Sequence, residues 1–353
     1  MNNPFLAPAR FCLNILPRAR QRLLNMRRVW ALLWCCLSVA VAAAPRGATP
    51  ALEPVPFLGR EWYDIKAWAA TQRFTVDLNP RTRIATVTGD GLRLTFAVDS
   101  QQMIVNGVKV WLCHPLAARN DTWLVSALDV ELVLRPLLRP VRPRPVKPVR
   151  TIVVDAGHGG KDPGHQAGTM QEKRYTLLLA QQLRTKLQAA GYRVVLTRNR
   201  DTFMELPERA AAANRAKGDL FVSLHFNAAG SGDRTARGIE VFCLTPNGAA
   251  STHAPRSQVS NEVLPGHGSG ARNILLAYQV QKALVQKLGL NDRGVKHARF
   301  AVLRDLTMPG ILIEGGFMSV PEEMRQIADP KFRDRLAAAI VEGIRQYRRL
   351  VES

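Results

Sequence analysis

After Arg150, short apolar runs alternate with helical stretches, and no other feature restricts the fold of this chain so tightly. The runs are Thr151–Val154, Arg193–Leu196, Asp219–His225, Ile239–Leu244, Phe300–Leu303 and Gly310–Glu314, each of strand length. Helices are predicted at about Lys173–Ala190, Leu206–Lys217, Asn273–Leu288 and Pro330–Leu350. Pro207 suits a first helical turn, and Gly191 suits the position just past a helix end. Such alternation predicts an α/β fold over residues 151–350, with a largely parallel, mixed sheet flanked by helices on both faces.

The preceding stretch has a different period. Leu92, Leu94, Phe96 and Val98 alternate with Arg93, Thr95 and Ala97, the pattern of a half-buried strand. Asp90-Gly91 and Asn106-Gly107 suit tight hairpins, in which both central residues need positive φ. Short helices are expected at Ile65–Thr71 and Ala127–Leu134. Residues 55–138 therefore read as a small β-rich α+β accessory module. The words WYDIKAWA and TWLVSALDVEL, with the Asn-Gly hairpin, resemble the small stalk-like modules at the N-terminus of copper amine oxidases. Its one histidine, His114, reads as a packed or surface residue. Residues 139–150 (RPVRPRPVKPVR) join the two parts; four prolines favour an extended spacer and five cations repel one another.

Lys and Arg number 49 against 28 Asp and Glu, a net charge of +21, which favours anionic surroundings. No nucleic-acid recognition motif accompanies that charge, so no nucleic-acid partner is expected. Hydrophobic residues at 46% and charged residues at 22% exclude a broadly disordered chain. Five cysteines in 353 residues exclude a disulfide scaffold; Cys113 and Cys243 are expected as buried thiols. Residues 1–44 hold six arginines and no acid, then the apolar run Val29 to Ala44 with a small-residue end. This reads as an export signal, cut after Ala40 or Ala43, with Met1 or Met26 as the start. About 16 apolar residues is short for a span, so no stable transmembrane anchor is expected.

In α/β sheets, sites gather beyond the carboxyl ends of the strands. Three such ends here carry chemistry: Asp155-Ala156-Gly157-His158-Gly159-Gly160, His225-Phe226-Asn227-Ala228 and Glu314-Gly315-Gly316-Phe317. Glu172 opens the helix after the first loop. Two histidines and two glutamates can thus converge on one rim. Two imidazoles and a carboxylate are a common ligand set for catalytic zinc, with water in the fourth position. A further carboxylate then takes the proton of that water and hands it to the leaving group.

The words VDAGHGGKDPG, QEK, SLHFNA and ILIEGGF, in this order, resemble the zinc-dependent N-acetylmuramoyl-L-alanine amidases of bacterial cell walls over nearly all of residues 150–350. The resemblance implies that His158, Glu172 and His225 hold one Zn2+ and that Glu314 is the catalytic carboxylate. The segment LPERAAAAN (Leu206–Asn214) also matches, which makes Arg209 structural or rim support. The implied reaction is hydrolysis of the amide between N-acetylmuramic acid and L-alanine, with peptidoglycan as partner and a periplasmic or cell-wall location. Two departures stand out. His165 occupies a place where the family often has a small residue, and Met318-Ser319-Val320 replaces a usual polar pair. Some Gram-negative members insert a plugging helix that an activator protein removes. Here Pro246–Arg272 is rich in Ser, Pro, Gly and His, which predicts a flexible rim loop with His253 and His267 exposed and leaves an activator open.

Two rival readings remain. A zinc carboxypeptidase acting on stem peptides would need an arginine for the terminal carboxylate, and Arg209 or Arg304 is available. A non-catalytic wall-binding protein would lack a ligand or base, and none is missing.

Overall fold

The computed structural model describes residues 52–143, 145–230 and 236–353. The export signal expected over residues 1–44 lies outside the described residues. Among those described, no helix is long and apolar enough to cross a membrane.

Local chemistry explains the first part. Strands β1 (Val55–Phe57) and β2 (Arg60–Asp64) lead into helix α1 (Ile65–Thr71), which is capped by Asp64 accepting from Ala67 N. A meander follows: β3 (Thr75–Asn79), β4 (Ile84–Gly89), β5 (Leu92–Ala97), β6 (Gln102–Val105) and β7 (Val108–Trp111). Asn106 and Gly107 both have positive φ, 47° and 82°, so the β6–β7 hairpin has the predicted turn. Leu94, Phe96 and Val98 face the core, as their alternation requires. Strands β8 (Ala117–Arg119) and β9 (Thr122–Ser126) pair with β2 and β1 in a four-stranded sheet. The helix predicted at Ala127–Leu134 contains a π-helical turn at Val130–Leu134 and runs on to Leu138.

The second part supplies β10 (Thr151–Ala156), the short hairpin β11 (Gln166–Ala167) and β12 (Met170–Gln171), α2 (Glu172–Ala189) and β13 (Arg193–Leu196). Next come α3 (Leu206–Arg215), β14 (Leu220–Asn227), β15 (Ile239–Leu244) and α4 (Gly270–Leu288). The chain finishes with β16 (Asp292–Ala298), α5 (Ala301–Arg304), β17 (Gly310–Phe317), α6 (Pro321–Ala328) and α7 (Pro330–Glu352). One core cluster joins α2, α4 and α7 to the sheet, and a second joins Ala210 and Ala213 of α3 and Val302 and Leu303 of α5 to the other face. The sheet is mixed and carries helices on both faces, as expected.

One strand differs from its prediction. Phe300–Leu303 is not a strand; Ala301–Arg304 forms a short helix, and the strand is Asp292–Ala298. Gly294, Lys296 and His297 hide that strand's pattern, and a short apolar run such as Phe300–Leu303 fits either element. Helix α6 also went unpredicted.

The described residues belong to one compact unit. A single sheet of eleven strands, in the order β13-β10-β14-β17-β15-β16-β7-β6-β5-β4-β3, runs through both parts. The parts meet where β16 pairs in parallel with β7, Val295 opposite Val110, both fully buried. Lys109 N donates to Asp292 Oδ2 at 2.7 Å, Trp111 Nε1 to the Arg293 carbonyl at 3.1 Å, and Tyr278 OH to the Val105 carbonyl at 3.2 Å. His297, whose pKa is lowered by burial, donates from Nε2 to the Trp111 carbonyl at 3.0 Å. Cys113 and Cys243 are free, buried thiols, as expected.

Candidate active site

Strand β10 delivers the loop that begins at Gly157. A Cβ on Gly157 would collide with the His225 ring, so only glycine lets the two strand ends come together. His158 has φ of 61°, a left-handed conformation that a non-glycine residue adopts only when its surroundings hold it there. Two buried arginines do the holding. Arg209, 2% exposed, donates through Nη1 to Asp155 Oδ1 and the Ala156 carbonyl, and through Nη2 to the His158 carbonyl at 2.9 Å. Arg198 reaches the Ala156 carbonyl through Nε and the Gly157 and Lys173 carbonyls through Nη2.

His158, Glu172 and His225 converge. Their donor atoms all lie within 4.8 Å of one another. His158 Nε2 is 3.0 Å from Glu172 Oε2, and His225 Nδ1 is 2.9 Å from Glu172 Oε1. The two imidazoles meet edge to face, with centroids 4.9 Å apart. Behind His158, Asp162 Oδ2 accepts from Nδ1 at 2.8 Å and fixes the ring. The donor set fits one divalent ion with bonds of about 2.0–2.2 Å to imidazole nitrogen and carboxylate oxygen. Burial opposes the Glu172 charge, yet the bonds from His158 and His225 hold its carboxyl far below the usual range. Burial likewise opposes a proton on His158, but Glu172 and then Asp162 raise it above 6.5.

Glu314 stands on β17, in register with His225 on β14. Its environment is the reverse of Glu172's. Oε2 is buried with no hydrogen-bond partner among the described residues. Burial, with Glu172 and Glu240 nearby, pushes the Glu314 carboxyl well up, and only Lys296 opposes this. A buried carboxylate oxygen without a hydrogen-bond partner is costly, and such groups cluster at functional sites.

The other candidates are placed as follows. The His165 contribution is its backbone N–H, which donates to Glu172 Oε2 at 2.9 Å. His114 is buried beside Asp129 in the first part. His253 is exposed, whereas His267 is pinned, accepting from Leu264 N at Nδ1 and donating from Nε2 to the Thr245 carbonyl. Pro246–Arg272 contains short 3-10 turns, with Leu264 and Ser269 buried. Sequence reasoning missed Asp162 and Arg198. Asp162 follows His158 by four positions in the DPG turn, a signal that was present; Arg198 had none.

Residues 152–346 match the family Amidase_3, N-acetylmuramoyl-L-alanine amidase. That is more than half of the chain, and the chain belongs to this family. It is 35% identical over 218 residues to the N-acetylmuramoyl-L-alanine amidase AmiC of Neisseria meningitidis serogroup B, covering 56% of this chain and 52% of that protein. With LytC of Bacillus subtilis, also an N-acetylmuramoyl-L-alanine amidase, it shares 34% over 199 residues, 56% of this chain and 36% of that one. The chain thus spans about half or less of the length of these relatives. The crystal structure of the amidase from Clostridium difficile 630 overlays with a TM-score of 0.48 at 34% identity, covering 57% of this chain and 97% of the other.

Proposed function

We propose that this chain is an exported cell-wall hydrolase that cleaves the amide between N-acetylmuramic acid and L-alanine of peptidoglycan. The observation that carries the reading is the pairing of a His158–Glu172–His225 cluster with Glu314 on the neighbouring strand, whose Oε2 is buried without a hydrogen-bond partner among the described residues. In a member of the amidase family, that pairing supplies a metal seat and a separate proton carrier.

His158, Glu172 and His225 would hold one zinc ion, with Asp162 orienting His158. Zinc, when bound, lowers the pKa of water toward ~7 and polarises a carbonyl. Glu314 takes a proton from the attacking water as its oxygen bonds to the amide carbon. The same carboxyl then protonates the departing amide nitrogen as the C–N bond breaks. Arg209 and Arg198 act on the loop carbonyls and so keep His158 in its left-handed conformation. Residues 55–138 serve as an accessory module and 139–150 as the connector, and the basic, acid-free residues 1–44 support export.

The carboxypeptidase reading loses one of its arginines. Both terminal nitrogens of Arg209 are spent on Asp155 and backbone carbonyls, and Arg304 pairs with Glu262 on the surface. Mass analysis of digested peptidoglycan tests the proposal. Intact stem peptides starting at L-alanine are expected; loss of a single C-terminal residue would contradict it.

A further inference from the structure

The continuous sheet sets β17, β15, β16 and β7 side by side. Register decides which side chains share a face. Glu240 pairs with Glu314, Phe242 with Lys296, and Val295 with Val110. Since side chains alternate along a strand, Glu314, Glu240, Lys296, Trp111 and Lys109 all lie on one face. A row of side chains therefore runs from the proton carrier into the accessory module.

The contacts along the row are close. Glu240 Oε2 accepts from Lys296 Nζ at 2.5 Å and from Arg293 Nε at 2.8 Å, while its Oε1 accepts from Asn227 at 2.7 Å. Lys296 Nζ lies 5.7 Å from the Trp111 ring centroid, and the His253 ring meets Trp111 edge-on at 4.5 Å. Between them is a cleft of ≈ 200 Å³, lined by Gln102, Lys109 and Trp111 from the module and by His253, Arg293 and Lys296 from the second part. Its acids are already committed. Asp292, also in the lining, accepts from Lys109 N, Gln281 and Gly294 N, and Glu240 accepts the three bonds above. Among the described residues, Lys109 Nζ makes no hydrogen bond or ion pair; Arg293 is paired with Glu240 through Nε and lies over the Phe317 ring at 4.7 Å, and its two terminal nitrogens make no hydrogen bond. The cleft offers one uncommitted ammonium, Lys109, and the free edge of the ion-paired Arg293 guanidinium beside an aromatic ring.

We propose that this cleft is a substrate subsite for a carboxylate on the peptide being released, received by Lys109 and Arg293 with Trp111 packed against the peptide stem. The two terminal nitrogens of Arg293, whose Nε is held by Glu240, still present the edge that meets a carboxylate in bidentate fashion, while Lys109 supplies the unpaired charge. Reach agrees: β7 is three strand spacings from β17, about 14 Å. An extended peptide covers that in about four residues, at roughly 3.4 Å each. The module is then part of the binding surface for the scissile strand's peptide.

The proposal rests on the amidase reading, and one kinetic comparison separates the two. The full chain is given soluble muropeptides with free peptide carboxylates and the same muropeptides with those carboxylates amidated. The wild type should show a KM lower by about fivefold for the acidic substrate, the scale of one well-placed charge contact. Lys109→Glu should erase that preference by raising KM for the acidic substrate with kcat unchanged. Lys109→Met should do the same to a smaller degree. Lys66→Glu makes the same charge change at an exposed position of α1 outside the cleft and should leave both KM values alone. If the wild type hydrolyses both substrates with equal KM, or Lys109→Glu raises both equally, the subsite is overturned and the amidase reading survives. Hydrolysis of neither substrate by the wild type would overturn both.

Discussion

The two halves of the eleven-stranded sheet solve different problems with the same backbone. From β3 to β7 every strand is joined to the next by a short antiparallel connection, and pairing is local. From β10 to β17 the neighbours are mostly parallel and far apart in sequence, as β10, β14 and β17 show. Parallel pairing puts several strand ends on one rim, where His158 and His225 meet and Glu314 stands in register beside His225. The hairpin half has no comparable convergence; it offers a packed core and one row of side chains at the junction. The candidate site thus lies in the half whose contacts are non-local.

That contrast can be broken most sharply at Glu314. Glu314→Ala should lower turnover by roughly 10²–10⁴-fold, the range for a lost acid–base group, while zinc content is unchanged. Turnover near wild type would remove Glu314 from the mechanism. A comparable shock to the hairpin half should appear in another observable. Phe96 is fully buried there, so Phe96→Ala should cost about 3–5 kcal/mol of unfolding free energy in a denaturant titration. The kcat of the protein that remains folded should stay close to wild type. A kcat that collapses with Phe96 would show that the halves are not separable in this way.

Smaller effects sharpen the picture within the rim. Asp162→Asn removes the charged partner of His158 Nδ1 and should weaken zinc affinity by roughly 10–100-fold in competition with a chelator. Unchanged affinity would make Asp162 a loop residue only. Without metal, the cluster should shape stability with pH. Glu172, held below its ordinary 4.5, contributes above that value, and its contribution is lost as pH falls through the folded pKa. His158, raised above 6.5, contributes below that value and loses its contribution as pH rises through the folded pKa. Both contributions are present between 4.5 and 6.5, so the metal-free Tm should have a shallow maximum there that Glu172→Gln flattens. A profile identical in the variant would contradict the coupling.

How much of this was legible in the sequence follows from the same contrast. Helix α1 and the turn at Asn106-Gly107 were readable because capping, alternation and positive φ are local signals. The strand ends were readable because apolar runs end abruptly at His158, His225 and Glu314. Strand β16 was not, since its burial comes from neighbours on both sides and tolerates Lys296 and His297 in the core. The union of β7 with β16 leaves no local trace: Val110 and Val295 look like any valines, and the spacer between the parts suggested separation. Arg198 and the Glu240–Lys296–Arg293 cluster were invisible for the same reason, because each is defined by partners distant in sequence, whereas Asp162, four positions after His158, left a local signal.

X-ray absorption at the zinc edge of the purified full chain tests the central claim most directly. One zinc per chain is expected, with two imidazole nitrogens and a carboxylate oxygen at about 2.0–2.2 Å, and His158→Ala should lose the metal. A chain that binds no zinc stoichiometrically, or binds it with His158, Glu172 and His225 all dispensable, would contradict the account.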